Sequence, residues 1–127
     1  MLDERRLFLL IGDVAGKGMP AALLMALLQG SLRTLLSAGL RGEELMAKLN
    51  AHLCSNIPSN RLITLFYGEL DTATGRLAYV NAGHNPPFLF PDGQRPARLG
   101  ATAMALGITM ETDFPSMSVE LDPGDRL

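Results

Sequence analysis

The chain has a single cysteine, no excess of either charge and no apolar run long enough to cross a membrane. Each shortage excludes something. Cys54 cannot close an internal disulfide, which fits a reducing compartment. Lys and Arg number 11 against 13 Asp and Glu, a net charge of -2, so no strong basic field is present to hold nucleic acid or an acidic membrane. The charged start Met1-Leu2-Asp3-Glu4-Arg5-Arg6 leads into only Leu7 to Ile11, too short for a signal core or a span. Pro20 to Leu28 is also too short to span. The two histidines, His52 and His84, have no Cys or His at zinc spacing. No repeat, linker or low-complexity segment interrupts the chain. These features predict a cytoplasmic domain without nucleic-acid or membrane partners.

What is present is one domain's worth of ordinary globular sequence: 127 residues, 47% apolar and 19% charged. Leu7 to Ile11 is a continuous apolar run, which predicts a central strand covered on both faces. Gly12 to Gly18 reads as a loop, with Pro20 near a first helical position. Leucines at 23, 24, 27, 28, 32, 35 and 36 predict a helix over Ala21–Ala38 that stops at Gly39. Glu43–Ser55 predicts a second helix, with Leu45, Met46, Leu49 and Leu53 on one side and Glu43 and Glu44 in its first turn. Asn56 to Arg61 is a loop. Strands follow at Leu62–Leu70 and Arg76–Ala82, joined by the turn Asp71-Thr72-Ala73-Thr74-Gly75. Shorter strands follow at Phe88–Phe90, Pro96–Leu99 and Ser116–Leu121. A strand, two helices and a run of strands make the fold class α+β.

Gly12-Asp13-Val14-Ala15-Gly16-Lys17-Gly18-Met19-Pro20-Ala21-Ala22 is the segment richest in chemistry. A phosphate-binding P-loop needs four residues between its glycines and a hydroxyl residue after the lysine; this segment fails both requirements. Gly16 to Ala21 fits G-x-G-x-x-G/A, but no second strand of a βαβ unit follows the helix. The plainer reading is a strand-to-helix turn in which Asp13 caps backbone donors. The sharper reading is a metal site, with Asp13 as a hard oxygen ligand and a loop carbonyl beside it. A second unusual segment, Tyr79-Val80-Asn81-Ala82-Gly83-His84-Asn85-Pro86-Pro87-Phe88, ends a strand in small residues before His, Asn and two prolines. His84 there is read first as a loop histidine bonded to backbone, and second as an acid/base or ligand.

Taken together, these segments resemble a known family. Residues 12–22 look like the GDVxGKGxxAA signature of bacterial SpoIIE-type serine phosphatases, in the metal-dependent PPM class. Thr64-Leu65-Phe66-Tyr67-Gly68, Asp71 to Gly75 with Leu77 and Tyr79, and Asn81-Ala82-Gly83-His84-Asn85-Pro86-Pro87 match the next block. Ala105-Leu106-Gly107-Ile108 and Leu121-Asp122-Pro123-Gly124-Asp125 resemble later segments, in order. The resemblance implies that residues 1–127 are part of a PPM-like α-β-β-α sandwich, antiparallel sheets between helix layers. It implies hydrolysis of phosphoserine or phosphothreonine on a regulatory protein of the anti-sigma-factor-antagonist type, with sensor domains in a longer parent. Two Mn²⁺ or Mg²⁺ ions would activate a water and neutralise phosphoryl charge. Asp13 would bridge both ions and the Val14 carbonyl would bind one. His84 and Asn85 carry over only as motif members that shape a turn.

The same resemblance places a GGD-x-x-D motif upstream of Asp13 and a TDG-type aspartate on a later strand. Only twelve residues precede Asp13, none of them resembling that motif, and Asp3 stands in a different context. Asp71, Asp92, Asp113 and Asp125 fall in turns or near the C-terminus. The expectation is therefore an incomplete metal site. The alternative function is a catalytically inactive, truncated domain that binds a phosphoprotein or regulates another chain.

Overall fold

The computed structural model describes residues 4–58 and 60–127. Asp3, with Met1 and Leu2, lies outside the described residues, as does Ser59 of the expected Asn56–Arg61 loop. The elements are β1 (Arg6–Val14), α1 (Met19–Ser37), α2 (Gly42–Asn56), β2 (Ile63–Asp71), β3 (Arg76–Ala82), β4 (Phe88–Leu89), β5 (Ala97–Arg98) and β6 (Met117–Glu120). The class is α+β, as expected. Both helices and the β2–β3 hairpin fall within two residues of their sequence boundaries, because amphipathic periodicity and a glycine-ended turn are strong local signals.

β1, β2, β3 and β6 form one antiparallel sheet in that order, and β4 and β5 form a second, two-stranded one. Period-2 alternation sorts the large sheet's side chains onto two faces. On one face Ile63, Leu65, Tyr67, Val80 and Ala82 pack with Leu28 and Leu32 of α1 and with Leu45, Met46, Leu49 and Leu53 of α2. On the other, Phe66, Leu77 and Tyr79 pack with Leu89 of the small sheet and Leu99 just after it. Phe66 and Tyr79 stack there with ring centroids 5.4 Å apart. The strand Ile63–Asp71 is thus buried on both sides, helices covering one and the β4–β5 ribbon the other.

α1 is also long and apolar enough to cross a membrane by length and composition alone. In this fold Leu28 and Leu32 are buried against the sheet, and Gln29, Arg33 and Thr34 face outward.

Two expectations for the first strand are corrected. It runs on through Gly12 and Asp13 to Val14, so the aspartate lies within the strand and not past its end. Among the described residues it is also at the edge of the sheet, paired with β2, with Phe8 packed against the helix-side core and Leu9 against the other. An apolar run reports burial only on average, and here three of its five residues are open: Leu7, Leu10 and Ile11 are 49%, 41% and 55% exposed.

Candidate metal centre at the end of the first strand

β1 places Asp13 directly opposite Thr64 of β2. Cross-strand partners share a face, so the Asp13 side chain lies on the side of the sheet away from the helices, with Leu9, Ile11 and Phe66. Asp13 is exposed while Val14, one residue on, is buried in the helix-side core. The Val14 carbonyl points away from β2, because the Ala15 N–H donates to the Leu62 carbonyl at 3.0 Å and alternate residues bond in alternate directions. The strand therefore presents a carboxylate and a neighbouring carbonyl at the same end of its open edge.

The loop behind them is held from the β2 side. Arg61 Nη1 donates to the Ala15 carbonyl at 3.1 Å. Gly16 sits at φ 101°, a backbone angle that favours glycine, and a Cβ there would displace the end of the Arg61 side chain. α1 begins immediately after, with Gly18 as N-cap and Pro20 in the first turn.

The second motif comes to the same region. The Thr64 hydroxyl and His84 Nδ1 share a hydrogen bond of 2.8 Å, so the residue facing Asp13 is tied to the histidine. The His84 turn is built on Asn81, which is fully buried. Its Oδ1 accepts from the His84 N–H at 2.8 Å, its Nδ2 donates to the Leu99 carbonyl at 3.0 Å, and its N–H donates to Thr102 Oγ1 at 3.1 Å. Gly83 adopts φ 68°, with Ala105 packed against its backbone. Next to this turn a cleft of about 600 Å³ is lined by Leu9, Ile11, Phe66, His84, Asn85 and Pro87 among others.

Sequence reasoning singled out Asp13, Val14, His84 and Asn85 but missed Thr64, Asn81 and Arg61. A lone polar residue in an apolar strand was the available sign for Asn81; nothing marked Arg61. Asp71 and Asp125 lie elsewhere, each spent on its own turn. Asp71 accepts from the Ala73 and Thr74 N–H groups, and Asp125 from those of Asp122 and Asp92. Among the described residues no three His, Cys, Asp or Glu side chains cluster to hold a metal ion. The residues present thus do not by themselves fit a two-ion site: one carboxylate and one carbonyl leave most of the coordination unfilled.

The Stage II sporulation protein E (SpoIIE) family description matches residues 3–127. The chain is 29% identical to phosphoserine phosphatase RsbU of Bacillus subtilis over 126 residues, which is 98% of this chain and 38% of that protein. It superposes with a TM-score of 0.83 and 33% identity on the crystal structure of the RsbU and RsbW domains of Rv1364c from Mycobacterium tuberculosis, covering 95% of this chain and 34% of that one. The catalytic domain of the serine/threonine protein phosphatase PstP, solved with two manganese ions, shares the fold at a TM-score of 0.63 and 18% identity, over 93% of this chain and 64% of that one. The chain therefore spans under two fifths of the length of RsbU. On this evidence the chain belongs to the SpoIIE family, and its fold is a part of that family's phosphatase domain.

Proposed function

We propose that this chain is the central portion of a metal-dependent serine/threonine phosphatase domain. Its substrate would be phosphoserine or phosphothreonine on a regulatory protein, of the kind that antagonises an anti-sigma factor. The observation that carries the reading is the joint placement of the two motifs: Asp13 faces Thr64, and Thr64 is bonded to His84. Asp13 and the Val14 carbonyl would be this chain's contribution to a site for two Mn²⁺ or Mg²⁺ ions, whose chemistry is to activate water and neutralise phosphoryl charge. Arg61 bonds the loop after Val14, and Thr64 and Asn81 fix the His84 turn beside the strand that faces Asp13. The phosphoserine phosphatase name of RsbU supports the reaction class, and the RsbW domain joined to the Rv1364c homologue supports a partner-switching role. The same reading makes the domain cytoplasmic.

A second reading is favoured by one specific observation. The lack of a three-ligand cluster among the described residues supports a phosphoprotein-binding or regulatory role for the chain by itself. The two readings part in a segment exchange. This chain is substituted for the matching segment of RsbU, and release of phosphate from a phosphoserine protein is measured with Mn²⁺. Turnover that Asp13→Ala abolishes is the expected result. A folded chimera without turnover, still binding the phosphoprotein, would favour the regulatory role instead.

A further inference from the structure

Asn50 and Asn81 are the buried polar side chains among the described residues. Both bond to the same segment, residues 99–109, which forms no helix or strand of its own. Asn81 holds its start, donating from Nδ2 to the Leu99 carbonyl at 3.0 Å. Asn50 holds its end from α2. Its Oδ1 accepts from the Gly107 N–H at 2.9 Å, and its Nδ2 donates to the Thr109 carbonyl at 2.8 Å. Between these two anchors the segment lies against the start of β2 and the end of β3. Leu106 and Ile63 exchange both backbone bonds, at 2.8 and 3.1 Å. Ala103 bridges Ala82, and Ala105 packs on Gly83, the residue before His84. Gly107 passes close to Arg61: a Cβ there would lie 3.4 Å from the Arg61 carbonyl oxygen.

These contacts lead to the Asp13 end of β1. Ile63 has Leu106 on one side and Val14 on the other. Leu62 accepts from the Ala15 N–H, and Arg61 donates to the Ala15 carbonyl. Three consecutive residues that set the backbone of Val14 and Ala15 are therefore backed by the Leu106–Gly107 turn. We propose that Asn50 is a positioning residue for that end of β1, acting through Gly107 and Leu106. The other buried residues of α2, Leu45, Met46, Leu49 and Leu53, are apolar, and their packing has no preferred direction. Hydrogen bonds do have one, so Asn50 fixes where the turn sits relative to the helix. Without it the Gly107 N–H and the Thr109 carbonyl lose their partner and the turn must move to find another. The effect on turnover rests on the phosphatase reading above; the effect on the backbone does not.

Amide exchange followed by NMR on the 127-residue chain tests the brace. Asn50→Ala should speed exchange at Ala15 and Ile63 by about tenfold or more relative to Tyr67 and Val80, which pair in the middle of the sheet. Leu32→Ala, a cavity variant on α1, should speed all four alike. Asn50→Asp, which keeps an acceptor for the Gly107 N–H, should restore most of the protection at Ala15. Uniform acceleration in Asn50→Ala overturns the proposal, since it shows a loss of stability alone. Where that variant fails to fold, Gly107→Ala strains the same turn from the loop side and must give the same local pattern. In the chimera with RsbU, Asn50→Ala should lower kcat by about tenfold or more with KM little changed. Unchanged kcat beside a localised exchange pattern overturns the positioning role. A chimera inactive before any substitution counts against the phosphatase reading, and the exchange pattern then decides the brace.

Discussion

Asn81 shows how a single polar residue can hold a turn together. It is buried between the large sheet and the segment around Leu99, and its side chain bonds to both the His84 N–H and the Leu99 carbonyl. Replacing it by Leu leaves a buried donor and acceptor without partners, at roughly 1–3 kcal/mol for each group. Urea unfolding of Asn81→Leu should show that loss, and the His84 ring signals should shift as the Thr64 bond loosens; a variant as stable as the parent would refute the role. Asn50 does similar work on α2, accepting from the Gly107 N–H at 2.9 Å and donating to the Thr109 carbonyl at 2.8 Å. Charged turns add a pH dependence. The Ala73 N–H, then the Thr74 N–H and the Arg5 and Arg6 guanidiniums, hold the Asp71 carboxyl below its ordinary value of 3.8. The Asp122 and Asp92 N–H groups do the same for Asp125. A depressed carboxylate binds fewer protons folded than unfolded, so its stabilisation is complete above the ordinary value and disappears as pH falls through the folded one. Stability measured by urea melts should therefore drop below about pH 4, and Asp71→Asn should flatten that drop. An unchanged acid slope would count against the assignment.

At the scale of the element, α2 buries more of its residues than α1 does. Leu45, Met46, Leu49 and Leu53 lie at helical spacing and are all fully buried. Leu49→Ala should cost about 2–5 kcal/mol, a transfer loss plus a cavity; calorimetry on the variant measures it directly. The strand β2 faces both layers, and Tyr67 marks its helix side. Burial, and less so the neighbouring Glu69, push the Tyr67 hydroxyl up to about 12, against a bond from the Gly42 N–H that lowers it. A raised folded value disfavours ionisation in the folded state. Stability should therefore fall as pH rises above about 10, where the unfolded tyrosine ionises first. Ultraviolet difference titration should show both tyrosines ionising above the ordinary value, since burial raises Tyr79 as well, and Tyr67→Phe should remove one of the two steps. The strand-to-helix loop carries Gly16 at a positive φ with the Arg61 guanidinium against it. Gly16→Ala brings a methyl into the Arg61 guanidinium, so the variant should lose the Arg61 to Ala15 bond and some stability with it.

Across the whole molecule, the proposed metal site would take one carboxylate, Asp13, and among the described residues no three His, Cys, Asp or Glu side chains cluster to hold an ion. Divalent affinity rises with ligand charge, so Mn²⁺ should bind more weakly than about millimolar. Calorimetric titration of the isolated chain, with Asp13→Ala as the reference, measures that affinity. Hydrolysis of p-nitrophenyl phosphate by the chain alone should be negligible with Mn²⁺ present, and clear turnover sensitive to Asp13→Ala would contradict this. Much of this was legible in the sequence. Helix periodicity placed α1 and α2, the Asp71–Gly75 turn placed the β2–β3 hairpin, and ordered motifs pointed to the family. Those signals are local: each depends on spacing within one element or one loop. The tertiary structure decided what depends on neighbours distant in the chain. It left Leu7, Leu10 and Ile11 largely exposed among the described residues where an apolar run alone predicts a covered strand, because burial depends on which elements lie alongside. It joined Thr64 to His84 across twenty residues and brought Arg61 to the Ala15 carbonyl across forty-six. Antiparallel register creates such contacts, and register belongs to pairs of strands.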